Sequence, residues 1–221
     1  MRIHIKTTPN TKIIPFDYQQ YLTGVLHKWL GENNLHDLIS LYSYSWLMNG
    51  EGKGKNGLSF NKGSEWFISF YDDTYLKKII DTILKHPEMF GGMEVKEVFI
   101  QENPDLSNKE VFQLASPILI KRNITEKSEK HYTLNDEEAN SLMKETLLHK
   151  MKEAELEIDD TLDIAFDLSY HKRKTKKVNI HGIGNIANYC PVIIKGKPET
   201  KLFAWQVGLG NCTGSGFGSL K

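Results

Sequence analysis

Polar and apolar residues alternate along Arg2–Thr7 (RIHIKT), the period of a half-buried strand. From Pro15 the spacing changes. Tyr18, Leu22, Val25, Leu26 and Trp29 recur on one helical stripe, so the pattern predicts a helix that Pro15 opens and Gly31 stops. Leu35–Ile39 reads as a short turn or helix. Leu41–Leu47 (LYSYSWL) alternates large apolar with small polar residues and predicts a strand. A flexible basic loop, Gly50–Gly57, precedes strands at Leu58–Phe60 and Glu65–Tyr71. An amphipathic helix follows over Asp73–Lys85, with Tyr75, Leu76, Ile79, Ile80 and Ile83 inward, and then a strand over Met93–Gln101. The resulting order, β-α-β-β-α-β, is ferredoxin-like.

Residues 103–108 (NPDLSN) have the composition of a boundary. Beyond them Val111–Ala115 and Ile118–Arg122 read as strands around Pro117, and Glu126–His131 as a polar turn. Asn135, with Glu138 at the capping-box position, introduces a helix from Asp136 to about Glu157. Strands are expected at Thr161–Ser169 and Lys176–Ile180, paired through the basic turn His171–Lys174, and again at Val192–Lys195 and Leu202–Val207. The fold class is therefore α+β: two tandem ferredoxin-like (RAMP/RRM-like) domains, over residues 1–102 and 109–221. A glycine-rich loop stands where a final helix would otherwise sit.

Composition narrows the function. With 39% hydrophobic and 25% charged residues the chain is an ordinary soluble globular protein. It has no apolar run long enough to span a bilayer and no leader pattern at Met1, so a cytoplasmic location is expected. Cys190 and Cys212 form no CxxC pair, which argues against structural zinc and for reduced thiols. The formal net charge is zero, yet the charge is segregated. Residues 134–167 hold eleven Asp/Glu against three Lys, whereas residues 168–198 hold seven Lys/Arg and no acid. A neutral total thus hides a basic stretch, with Lys172, Arg173, Lys174, Lys176 and Lys177 as its centre. The competing reading is a solvated lysine-rich turn that guards a sheet edge.

The chemistry is concentrated at the end. Gly208, Gly210, Gly214, Gly216 and Gly218 fall within eleven residues, GLGNCTGSGFG. Such a loop can take positive φ repeatedly, lets another backbone approach, and can turn successive N–H groups toward an anion. Neither a dinucleotide fingerprint nor a P-loop fits: the spacing is GxGxxxG and no Gly-Lys-Ser/Thr occurs. A phosphate backbone, or another segment of the protein, is the expected neighbour.

GLGNCTGSGFG after a predicted strand resembles the signature of the CRISPR-associated endoribonucleases that cut repeat RNA, the Cas6 family. PFDYQQYLTGVLHKWL, then LHD, then LYSYSWL is similar to that family's N-terminal pattern, and Ser116–Arg122 (SPILIKR) to a run midway through it. The resemblance implies cleavage without a metal or other cofactor: a ribose 2′-hydroxyl attacks the adjacent phosphate and leaves a 2′,3′-cyclic phosphate and a 5′-hydroxyl. It places His36 of LHD, among the chain's eight histidines, at the family's catalytic position. Histidine suits proton transfer because its pKa lies near operating pH. Tyr21 stands where some members carry an active-site tyrosine, although a helix residue covering the core edge would look the same. Family members often follow HD with a glycine and basic residues; here Leu38-Ile-Ser40 follows, a departure that leaves the third catalytic role open. Lys53 and Lys55 of the Gly50–Gly57 loop are candidates to supply the charge, with a solvated loop as the competing reading. Gly208, Gly210, Gly214, Gly216, Phe217 and Gly218 are expected beside RNA. The partners implied are CRISPR repeat RNA or precursor crRNA, a CRISPR effector complex and a second copy of the chain, with no DNA and no membrane. A non-cutting RNA-binding subunit and a ferredoxin-like small-molecule binder are the alternatives.

Overall fold

The computed structural model describes residues 1–32, 39–125 and 128–221. The first half runs β1 (Arg2–Thr7), α1 (Gln19–Leu30), β2 (Tyr42–Tyr44), β3 (Glu51–Gly52), β4 (Leu58–Ser59), β5 (Glu65–Phe70), α2 (Thr74–Ile83) and β6 (Val95–Gln101). Four of its strands make one antiparallel sheet in the order β2-β5-β1-β6. The two-residue period of β1 explains the layering. Ile3 and Ile5 turn inward, opposite Ile68 and Trp66 of β5, and pack with Leu22, Leu26 and Trp29 of α1 and Leu76 and Ile79 of α2. Arg2, His4 and Lys6 lie on the other face. β3 and β4 form a separate small hairpin, so part of the expected Gly50–Gly57 loop is strand.

The second half contains β7 (Val111–Phe112), β8 (Ile118–Leu119), β9 (Lys121–Thr125), β10 (Ser128–His131), α3 (Ala139–Glu153), β11 (Asp163–Phe166), β12 (Lys174–Ile180), β13 (Ile183–Tyr189), β14 (Val192–Lys195) and α4 (Pro198–Val207). Its strands form two three-stranded sheets, β11-β14-β7 and β12-β13-β8, and a β9–β10 ribbon. The protein is thus a mixed α+β fold of two β-sheet-rich domains, the first with ferredoxin-like strand order. Among the described residues no helix is long and apolar enough to cross a membrane.

Three expectations about the second half are overturned. Leu202–Val207 is helical, as part of α4. Pro198 occupies its first turn, and Phe203 through Val207 are all buried, so no polar stripe reveals the 3.6 period. The helix also supplies the element expected to be missing before the glycine-rich loop. Second, β11 and β12 do not pair. β11 sets Ile164 and Phe166 against Ile194 and Val192 of β14, whereas β12 pairs with β13 across a tight turn, His181–Gly182. Both turn residues have positive φ, 49° and 80°, as a two-residue hairpin of this kind requires. Third, the polar segment before His131 includes a strand, β10, tied to β9 by a 2.8 Å Lys121–Glu129 ion pair.

The Arg2 side chain bridges the halves. The Arg2 guanidinium donates to Ser69 Oγ (2.7 Å) and to the carbonyls of Trp205 (3.1 Å) and Leu220 (2.8 Å). It lies between the rings of Phe67 and Trp205, 3.8 and 3.6 Å from their centroids. These hydrogen bonds and ring contacts offset the cost of burying the charge.

Candidate nucleic-acid interface

The glycine-rich segment leaves α4 at Gly208 (φ 71°), turns through Cys212 in the left-handed region and a single 3-10 turn at Thr213–Ser215, and returns beside its own start. Leu209 N–H donates to the Gly218 carbonyl (2.9 Å), Gly218 N–H to Pro117 (2.9 Å), and Asn211 N–H to Leu119 (2.7 Å). The segment is wedged between the domains. Ser43 of β2 donates to the Gln206 carbonyl (2.9 Å), and the Trp46 indole to the Gly216 carbonyl (2.7 Å). Here glycine is a steric necessity. A Cβ at Gly218 would lie 1.8 Å from the Leu209 carbonyl oxygen, and one at Gly214 would meet the Ser40 and Tyr42 hydroxyls.

All five glycines are buried, and Phe217 is 1% exposed, packed with Leu119, Val178 and Ala187. The second neighbour anticipated for these residues, another segment of the protein, is therefore the one they touch. The tip, Asn211 and Cys212, emerges. Beside that tip opens a cavity of about 430 Å³, walled by Ser40, Arg122, His149, Lys150, Asn211 and Thr213 among others.

Lys150 is the unusual member. It is 2% exposed, and its ammonium donates to the Val207 carbonyl (2.9 Å) and to Thr213 Oγ1 (2.8 Å). Burial pushes its pKa down to about 7. Arg122 spans β9 and α3, donating to the Leu142 carbonyl and Thr146 Oγ1 (both 3.2 Å), with Glu145 at 3.4 Å. Two cations, Lys121 and Arg122, and the titratable amine of Lys150 border the cavity against one carboxylate, Glu145. An anion is the complementary occupant.

His36 lies outside the described residues. Ile39 and Ser40, where description resumes, both line the cavity. Tyr21 is exposed on α1, its ring 5.5 Å from that of Phe90. On the same helix the Thr23 hydroxyl lies 2.7 Å from that of Tyr44, the side chain that a Cβ at Gly216 would meet. Lys53 and Lys55 are exposed in the β3–β4 hairpin, with Lys53 3.7 Å from Glu51. Lys172, Arg173, Lys174, Lys176 and Lys177 are all exposed, the last three on β12 at a sheet edge. The Lys176 ammonium lies 4.4 Å above the Trp46 ring, and Trp46 holds Gly216. The basic strand and the glycine-rich turn therefore share one indole. Both cysteines are free, Cys190 buried and Cys212 exposed. Among the described residues no three His, Cys, Asp or Glu are grouped to hold a metal.

Sequence reasoning passed over Lys150, Arg122 and Trp46. For Lys150 a signal existed: helical spacing puts it on the inward stripe of α3 with Met143 and Leu147.

Residues 100–221 match the family described as CRISPR associated protein Cas6, C-terminal, and the chain belongs to the Cas6 family. Among solved structures it is similar to the product of a Cas6-related gene from Pyrococcus furiosus, at 22% identity and a TM-score of 0.86, covering 100% of this chain and 97% of that one. It is equally similar to a RAMP protein binding different RNA substrates (19% identity, TM-score 0.86, 100% and 98% covered). A CRISPR associated protein Cas6 matches at 20% identity and a TM-score of 0.82, with 100% and 98% covered. At these identities the likeness is one of fold. No curated protein sequence matches the chain.

Proposed function

We propose that this protein binds CRISPR repeat RNA and cuts precursor crRNA without a metal, with His36 moving a proton at the scissile phosphate. The observation that supports this most is the cationic cavity at the tip of the glycine-rich wedge, lined by Ile39 and Ser40 just after the His36 segment, in a chain of the Cas6 family. In the reaction a 2′-oxygen forms a bond to phosphorus while the bond from phosphorus to the 5′-oxygen breaks. The proton of the 2′-hydroxyl passes to a base, and the leaving 5′-oxygen receives one. Charge on the phosphorane needs fixed donors, which the cavity's cations offer. The exposed lysines and arginine of residues 172–177 carry the phosphate backbone of the remaining RNA.

Cleavage of the cognate repeat in EDTA tests the proposal. Wild type is expected to yield 2′,3′-cyclic phosphate ends. His36→Ala is expected to slow the cut by about 10²–10⁴-fold with repeat affinity nearly intact. A folded His36→Ala protein that cuts at the wild-type rate would move the chemistry elsewhere. Tight binding by a wild type that never cuts would instead identify a non-catalytic RNA-binding subunit.

A further inference from the structure

A lysine buried on an apolar stripe is an expensive choice unless its charge is used. Lys150 shares its stripe with Met143, Leu147 and Met151, where methionine or leucine would pack without desolvating an ammonium. Its two acceptors are neutral, the last carbonyl of α4 and the Thr213 hydroxyl. The carbonyl end of a helix offsets only part of a positive charge. An ammonium has three donors, and among the described residues Lys150 uses two. The side chain borders the cavity beside Ser40 and the glycine-rich tip.

We propose that Lys150 is a catalytic residue that touches the RNA phosphate: a phosphodiester oxygen in the cavity takes its third N–H, while Val207 and Thr213 hold the nitrogen in place. The inference rests on the proposed function and names the residue that stabilises charge on the phosphate, a role no lysine near LHD fills. It ties the glycine-rich turn to the chemistry, since Thr213 of that turn fixes the ammonium.

A testable consequence follows from the lowered pKa of about 7. Near pH 8 the free protein holds Lys150 mostly neutral. A bound phosphate favours the charged form, so RNA binding draws in a proton. The other charged or titratable groups around it are Cys212 on the turn, Lys121 and Arg122 of β9, Glu129 of β10, and Glu145 and His149 of α3. Of these, His149 is the one that must be controlled.

The experiment is calorimetry of the intact protein with a repeat RNA carrying a 2′-deoxyribose at the cleavage site, near pH 8, in EDTA, in two buffers of different ionisation enthalpy. Wild type and His149→Gln are expected to take up roughly half to one proton per RNA bound. Lys150→Met is expected to take up none, and to cut the unmodified repeat about 10²-fold more slowly in single turnover. A folded Lys150→Met protein with wild-type rate and wild-type uptake would overturn the inference. If that variant does not fold, absence of uptake in His149→Gln overturns it equally. RNA that neither binds nor is cut by wild type would sink the proposed function itself, a distinct result.

Discussion

The glycine-rich turn and the β12–β13 hairpin both look like phosphate-binding devices in the sequence, one by its glycines and the other by its lysines. Their physical situations are opposite. In the turn every glycine is buried, and the backbone is hydrogen-bonded to Pro117, Leu119 and its own return strand. In and just before the hairpin the cations are exposed, three of them on an edge strand, and a Cβ at Gly182 would meet open space. Glycine enrichment marks close backbone approach wherever the partner lies, and here the partner is mainly the protein. Lysine enrichment on an exposed edge leaves the partner outside. In the proposed function the turn therefore contributes shape, as the frame of the cavity, and the hairpin long-range charge.

Substitutions separate the two. The largest effect is expected at Gly218, where a side chain meets the Leu209 carbonyl and φ is 67°. Gly218→Val should cost more than about 4 kcal/mol and give little folded protein, as judged by circular dichroism and a thermal melt. A cooperative melt near the wild-type temperature would mean the turn can rearrange and is not a fixed wedge. Next, replacing Lys172, Arg173, Lys174, Lys176 and Lys177 by Ala should leave the melt unchanged but weaken repeat binding on the order of 10²-fold at physiological salt. It should also flatten the dependence of affinity on salt by about 0.7–0.9 in log–log slope for each phosphate no longer neutralised. An unaltered slope would reduce the hairpin to a solvated sheet edge. The smallest effect is expected for Gly182→Ala, about 1 kcal/mol of stability, because the positive φ is mildly unfavourable but the Cβ meets nothing. A penalty as large as that at Gly218 would erase the distinction between the two glycine environments.

Legibility in the sequence followed the same physics. Much of the first half could be read because its elements carry a clear period: Ile3 and Ile5 alternate with polar neighbours, and α2 keeps Leu76, Ile79 and Ile83 on a single stripe. α4 could not, because it is buried nearly all round and an apolar run without a polar face carries no period. The pairing of β12 with β13 depends on a two-residue turn, His181–Gly182, whose histidine at positive φ is not a standard hairpin signal. At the site, composition exposed the glycines and the basic run. Lys150 and Arg122 enter the cavity from α3 and β9, more than fifty residues before the turn they border, and only tertiary packing brings them there. Lys150 on a helix surrounded by acids and lysines looks solvated until the inward stripe is drawn.

Arg2 has a consequence for how the molecule comes into being. Its guanidinium reaches carbonyls 203 and 218 positions further along the chain, at Trp205 and Leu220. On a ribosome the first sheet can assemble while those acceptors are still unmade, leaving a cation stranded on Phe67 at the sheet surface. Closing so wide a span is entropically slow and raises the mean sequence separation of interacting residues, which lengthens folding. Consolidation is thus a late event, completed only when residues 205–220 dock. A ribosome-stalled chain ending before Trp205 is left with an unfinished seam, and the same latch that ties the first sheet to α4 and the C-terminal segment times their maturation.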